Sequence, residues 1–313
     1  MKSYAVFFIA GACLATTVCG QPYPNKPIRI VTAAAGGATD FVARQIAQGI
    51  SGPLGQQIVI DNRPAVIQGE IVSKAPPDGY VLYLAGESLW VQSLLQKVPY
   101  DVVRDFTPIT WALRAPSIMS IHPSLPVKSV KELVALAKSR PGELNYNSGG
   151  NGASAHLAME LFKSLSGTNI VHIPYKGVPP GMVDLAAGQV QMTFSSYTAA
   201  APYLKSGRLR AIAVSSPEPS PLYPDLPPVS ATVPGYEALS MMSLLGPAKL
   251  PEAIVNRLNQ EAVRYLGLPE SKERFRTSGL ETVGNSPEQF AAAMKADIAR
   301  WSKVIRDANI KAD

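Results

Sequence analysis

From Ile28 to Ser216, short apolar and β-branched runs alternate with segments whose apolar residues recur at helical spacing, and no other feature limits the possible folds as tightly. Strand-like segments at 28–35, 57–61 and 80–84 are followed by helix-period segments at 40–50, 68–75 and 88–95. A strand, a helix and another strand in succession join as a parallel crossover, with the helix laid on a sheet face. The expectation is an α/β fold with largely parallel strands. After a long extended stretch at 106–123 the same rhythm resumes. Ser129 and Glu132 open a helix as a capping box, and Arg140-Pro141-Gly142 ends it. Strand-like 143–148, 169–174, 189–196 and 209–216 then alternate with helices after 153, near 180–187 and after 196, which makes a second α/β lobe.

Proline crowds 217–235, which reads as a surface connection. A second extended apolar stretch, 238–251, leads into a helix begun by Pro251-Glu252. Ser286-Pro287-Glu288 starts the last helix, and its Phe290, Met294, Ile298, Trp301 and Ile305 share one face, a core stripe. The stretches near 106–123 and 238–250 are where the chain leaves the first lobe and returns. The expected domains are therefore 21–118 plus 243–313, discontinuous, and 119–242.

Lys2, the apolar run from Tyr4 to Val18 and small residues around Gly20 read as an export signal over 1–20, too short to span a bilayer comfortably. Cys13 and Cys19 both lie within it, so the remainder is expected to have no disulfide, thiolate metal site or cysteine nucleophile. The formal charge of +6 favours anionic ligands. Its lysines and arginines are scattered, without interleaved aromatics, which argues against nucleic acid as a partner.

The chemistry concentrates in NSGGNGASAH, residues 147–156, where a strand turns through glycines into a helix. Free N–H groups and the positive end of the helix dipole make such a junction an anion site. A fainter copy runs from Ala33 through Gly36-Gly37 to Asp40. Two such loops suggest one ligand held between two lobes, with Ala35, Gly36, Gly37 and Thr39 on one side and Ser148, Gly149, Asn151, Gly152 and Ser154 on the other. Asp40 lies where a carboxylate caps its helix or accepts a ligand donor. Glu87, Ser88, Tyr175 and Ser195 complete the expected ligand-binding set. Tyr175 offers a phenolic donor. His122, His156 and His172 have no metal-ligand spacing, and neither a metal nor another cofactor is expected.

YPNKPIRIV (23–31), GGATD (36–40), DNRP (61–64), PPDGY (76–80), PYDVVRDF (99–106), HPSLPVKSVKEL (122–133), VHIPYKG (171–177), DLAAGQV (184–190) and PGYE (234–237) occur in that order around the glycine loop. Together they resemble the Bug-type, or tripartite tricarboxylate transporter, family of periplasmic solute-binding receptors. The resemblance implies a periplasmic binding protein type II-like fold: two α/β lobes joined by two crossover strands, closing on a ligand in the cleft. It implies a monomer in the periplasm, carboxylate capture by backbone amides of both loops, and membrane components of a tripartite transporter as partners. The first loop, TAAAGGATD, lacks the family's usual proline and third glycine, and AVIQGE (65–70) replaces a glycine-rich segment. Glu87 stands where a neutral polar residue is usual; facing the cleft, it would favour an amino acid or an amide over a tricarboxylate. Di- and tricarboxylates, amino acids and aromatic acids or amides are the ligand classes this leaves.

Two other functions fit parts of the chain. A ligand sensor for a membrane signalling partner would have the same lobes and cleft. A secreted hydrolase would use GASAH (152–156) as its nucleophile elbow, but His156 replaces the small residue that the strained turn needs. No orienting carboxylate or oxyanion hole is legible, so the expectation is a binding protein and not an enzyme.

Overall fold

The structure is a computed structural model and describes residues 23–311; the expected export signal lies outside them. Two sheets form two lobes. The first sheet contains β1 (Ile28–Thr32), β2 (Ile58–Asn62), β3 (Val81–Gly86), β4 (Phe106–Pro116), β10 (Leu239–Pro247) and β11 (Glu281–Thr282), ordered β11-β4-β10-β3-β1-β2. The second contains β5 (Ile118–Ile121), β6 (Asn145–Ser148), β7 (Val171–Pro174), β8 (Met192–Ser195) and β9 (Arg210–Val214), ordered β7-β6-β8-β5-β9.

In the first sheet both faces are covered, and the strand alternation sorts side chains between them. Ile28 and Ile30 of β1 and Leu82 and Leu84 of β3 join Val42, Ile46 and Ile50 of α1 (Ala38–Leu54) and Leu258 of α8 (Glu252–Gly267). Val31, Tyr83 and Ala85 point the other way, where Val72 of α2 (Ala65–Ser73), Trp90 of α3 (Ser88–Leu95) and Phe290 and Met294 of α10 (Pro287–Asp307) belong to the same core. Burying one such side chain contributes about 1.5–3 kcal/mol, which is why a two-sided sheet reads as nearly continuous apolar runs. The α10 core continues into the second lobe through Met119, Tyr146, Phe162, Phe194 and Tyr236.

Around the second sheet lie α4 (Val130–Ser139), α5 (Ser154–Ser166), α6 (Val178–Ala186) and α7 (Tyr197–Lys205). Capping is visible at two helix starts. Ser129 Oγ accepts the Glu132 amide, while the Glu132 carboxylate takes the Lys128 amide rather than that of Ser129. At α10 the box is complete, with Gln289 as its distal member: Ser286 and Gln289 each accept the other's backbone N–H. A helix α9 (Pro269–Thr277) and the short β11 add to the expected elements.

The sheets are mixed, which corrects the expectation of largely parallel strands. β1, β2 and β3 are parallel, as are β6, β7 and β8, but β10 runs antiparallel to both β3 and β4, and β5 antiparallel to β8 and β9. The chain passes from one sheet to the other at Ser117 and comes back before Leu239, so the strands at the crossings run against their neighbours. The crossings are tied together: Ser215 N–H donates to Ser117 O at 2.8 Å, Ser117 N–H to Ser215 Oγ at 2.7 Å, and Ala238 N–H to Ser215 O at 3.0 Å. Ser215 is fully buried there. Residues 28–35, read as one strand, leave the sheet after Thr32, because Gly36 at φ 83° turns the chain toward α1.

Candidate functional site

Between the lobes lie two adjoining cavities of about 400 and 290 Å³ that share Ala153, Ser154 and Ser240 on their walls. Together they have the size of a small-molecule site.

The larger cavity is formed mainly by the second lobe. β6 ends at Ser148 and the chain turns through Gly149–Ala153 into α5. Gly150 and Gly152 take φ of 135° and 71°, and a Cβ on Gly149 would stand 3.4 Å from Gly177 and Val178. The loop needs glycine for shape at Gly150 and Gly152, while at Gly149 a Cβ would make only ordinary contact. Ala153, at the N-cap, supplies no side-chain acceptor to α5. The first turn of α5 thus starts without a side-chain cap, and its Ser154 and Ala155 are part of the cavity wall. Ser195 stands on the same wall, and its Oγ is buried, with no hydrogen-bond partner among the described residues.

The loop is braced from behind. Ser148 Oγ lies 2.7 Å from His172 Nε2 and donates to Gly150 O at 2.9 Å. The Gly152 N–H donates to His156 Nδ1 at 3.1 Å, which places the proton of a neutral His156 on Nε2. The two imidazoles stack with centroids 3.8 Å apart, and Tyr146 continues the stack over His172.

The smaller cavity is lined by the first lobe: Thr39 at the start of α1, and Gly86, Glu87 and Ser88 between β3 and α3. Glu87 accepts Ser154 Oγ–H from the opposite lobe at 2.8 Å, the Met241 amide at 3.3 Å and Ser240 Oγ–H at 3.4 Å. Burial raises its pKa to about 7, with the Ser154 bond opposing and the nearby Asp297 carboxylate reinforcing. Gly152 closes on the same lobe, since a Cβ there would lie 2.4 Å from Leu95 Cδ1.

Eight of the expected residues thus line the cavities: Ser148, Gly149, Ser154 and Ser195 the larger, and Thr39, Glu87, Ser88 and Gly152 the smaller, with Ser154 in both. Ala35, Gly36, Gly37 and Asn151 lie outside both linings and are exposed. Asp40 and Tyr175 are taken by internal partners. Both Asp40 oxygens are engaged, by the Gly36 amide, Arg44 and Asn62, and these bonds hold its carboxyl below the usual range against the opposing effect of burial. Tyr175 donates its hydroxyl to Asp184 at 2.7 Å. At GASAH the Ser154 hydroxyl donates to Glu87 of the other lobe. Ser240, Ser117, Asn147, Thr193 and Met182 line the larger cavity without having been expected. Ser240 sits on β10, and only the return of that strand beside β3 brings it to Glu87.

Among the described residues no group of three or more His, Cys, Asp or Glu is placed to hold a metal ion, and no helix is long and apolar enough to cross a membrane.

Known proteins share this sequence pattern and fold. BugT of Bordetella pertussis is 33% identical over 312 residues, 97% of this chain and 96% of that protein. A Rhodopseudomonas palustris protein solved with adipate is 36% identical, with a TM-score of 0.74, covering 93% of this chain and all of that one (100%). MatC of Rhodopseudomonas palustris, solved with bound malate, is 27% identical, with a TM-score of 0.70, covering 90% of this chain and 100% of that one. The family model for the tripartite tricarboxylate transporter family receptor matches residues 42–310, and the chain belongs to that family.

Proposed function

We propose that this chain is a periplasmic receptor that captures a small carboxylate between its lobes and delivers it to the membrane components of a tripartite tricarboxylate-type transporter. The observation that carries the reading is the larger cavity itself, on whose wall lies the first turn of α5, left without a side-chain cap. Amides at a helix N-terminus attract a carboxylate. Relatives solved with adipate and malate support the same ligand chemistry. The Gly36-Gly37 loop joins the site on closure, when the lobe of the first sheet swings against the lobe of the second about the Ser117–Ser215–Ala238 junction. That division falls at Ser117 and Ala238 and so moves the expected bounds at 118 and 242.

A thermal-shift series with malate, adipate, a tricarboxylate, an amino acid and an aromatic acid tests this. A ligand present at about 100 times its Kd stabilises by about 2.7 kcal/mol. Ala155→Asp, which puts a like charge on the cavity wall in the first turn of α5, should weaken the active compound by about tenfold or more while leaving the fold intact. If no carboxylate shifts the transition, the reading fails.

A further inference from the structure

We infer that Glu87 makes this receptor selective for carboxylates whose second pole is a hydrogen-bond donor, an amide or an ammonium group, over dicarboxylates of the same length. The inference rests on the reading that the α5 amides hold the first carboxylate.

The smaller cavity is the space left for the second pole, and Glu87 is the only ionisable side chain on its wall; Thr39, Ser88, Ser154 and Ser240 supply its other polar side chains. No cation is paired with Glu87 among the described residues. Its three partners are neutral donors, and two of them, at 3.3 and 3.4 Å, are long, so its oxygens keep capacity for a further donor. The charged side chain that faces it is Asp297 of α10, another carboxylate, already held by Trp90 Nε1 at 2.7 Å and Arg300 at 2.6 Å. An incoming carboxylate would meet a like charge with no counter-ion and would bind only with uptake of a proton. An amide N–H or an ammonium group would instead complete the coordination of Glu87. Its pKa of about 7 has the same origin, and it means that acid turns Glu87 into a donor and relaxes the discrimination.

The test is calorimetric titration of succinate and adipate against their mono-amides, succinamate and adipamate, at about pH 8.5, where Glu87 is ionised. Wild-type protein should bind a mono-amide at least about tenfold more tightly than its parent diacid. Glu87→Gln should close that gap, and lowering the pH to about 5.5 should narrow it in the wild type, which keeps the test informative if the variant folds poorly. Equal or tighter binding of the diacids by wild-type protein at the higher pH would overturn the inference and leave the receptor reading standing, as would an unchanged ranking in Glu87→Gln. Failure of all four compounds to bind would overturn both.

Discussion

Replacing Glu87 by glutamine measures what it costs to hold a carboxyl group in the cleft wall. Burial, opposed by the Ser154 hydrogen bond and reinforced by Asp297, raises its pKa from 4.5 to about 7. The folded-state value lies above the unfolded one, so the unfolded chain releases this proton first. Stability is therefore lost as the pH rises from about 4.5 to about 7 and is level above that window. Each pH unit inside the window costs about 1.4 kcal/mol, and the whole gap amounts to about 3 kcal/mol. Glutamine does not titrate. Its Oε1 keeps the Met241 N–H if Nε2 turns to the Ser154 and Ser240 hydroxyls, which then accept instead of donating, and this exchange adds a pH-independent offset of about 1 kcal/mol. Denaturant unfolding followed by tryptophan fluorescence at about pH 5 and about pH 8 reads both effects. The stability difference between the two proteins should move in favour of the variant by about 2.5 kcal/mol between these pH values, because part of the gap is already lost at about pH 5. A difference that stays constant to within about 0.5 kcal/mol would mean that Glu87 titrates as an exposed carboxylate, and the buried environment deduced for it would be wrong.

Gly49 packs against α8 so closely that a Cβ would lie 2.1 Å from the Tyr265 ring. Gly49→Ala should destabilise by about 1–3 kcal/mol in denaturant unfolding. Gly152→Ala should cost about 1–2 kcal/mol for its left-handed φ, and by pressing on Leu95 it should weaken carboxylate binding more than it weakens the fold, as read by calorimetry beside a melting curve. Ser286→Ala removes the cap of α10 and should lower stability by about 1 kcal/mol, with ligand affinity unchanged.

Much of the fold is legible from local chemistry. Ile28, Ile30 and Val31 announce a two-faced strand, Ser129 and Ser286 mark helix starts, and Pro217 to Gly235 shows where regular structure gives way. The Ser148–Ser154 half of the site is legible for the same reason, since glycines followed by a helical apolar run define a turn and a helix N-terminus within one short segment. Helix α9 was not read, because its sequence, PESKERFRT, buries only Ser271 and Phe275 and has almost no apolar period. The first loop is legible only in part: GGATD reads as an anion site, while the fold turns Asp40 back onto Gly36 N–H and holds it with Arg44 and Asn62, the last contributed by a different strand.

Segments carry their own propensities for strand, turn and helix, so the alternating elements, the glycine turn at 147–156 and the apolar stripe of α10 follow from residues near in sequence. The direction of β10, the meeting of Ser240 and Ser154 at Glu87 across separations of 153 and 67 residues, and the lone hydroxyl of Ser195 depend on how the crossings place one sheet against the other. Burial and like-charge proximity, which turn Glu87 from an ordinary glutamate into a selective one, are properties of that placement, and no short stretch of chain contains them.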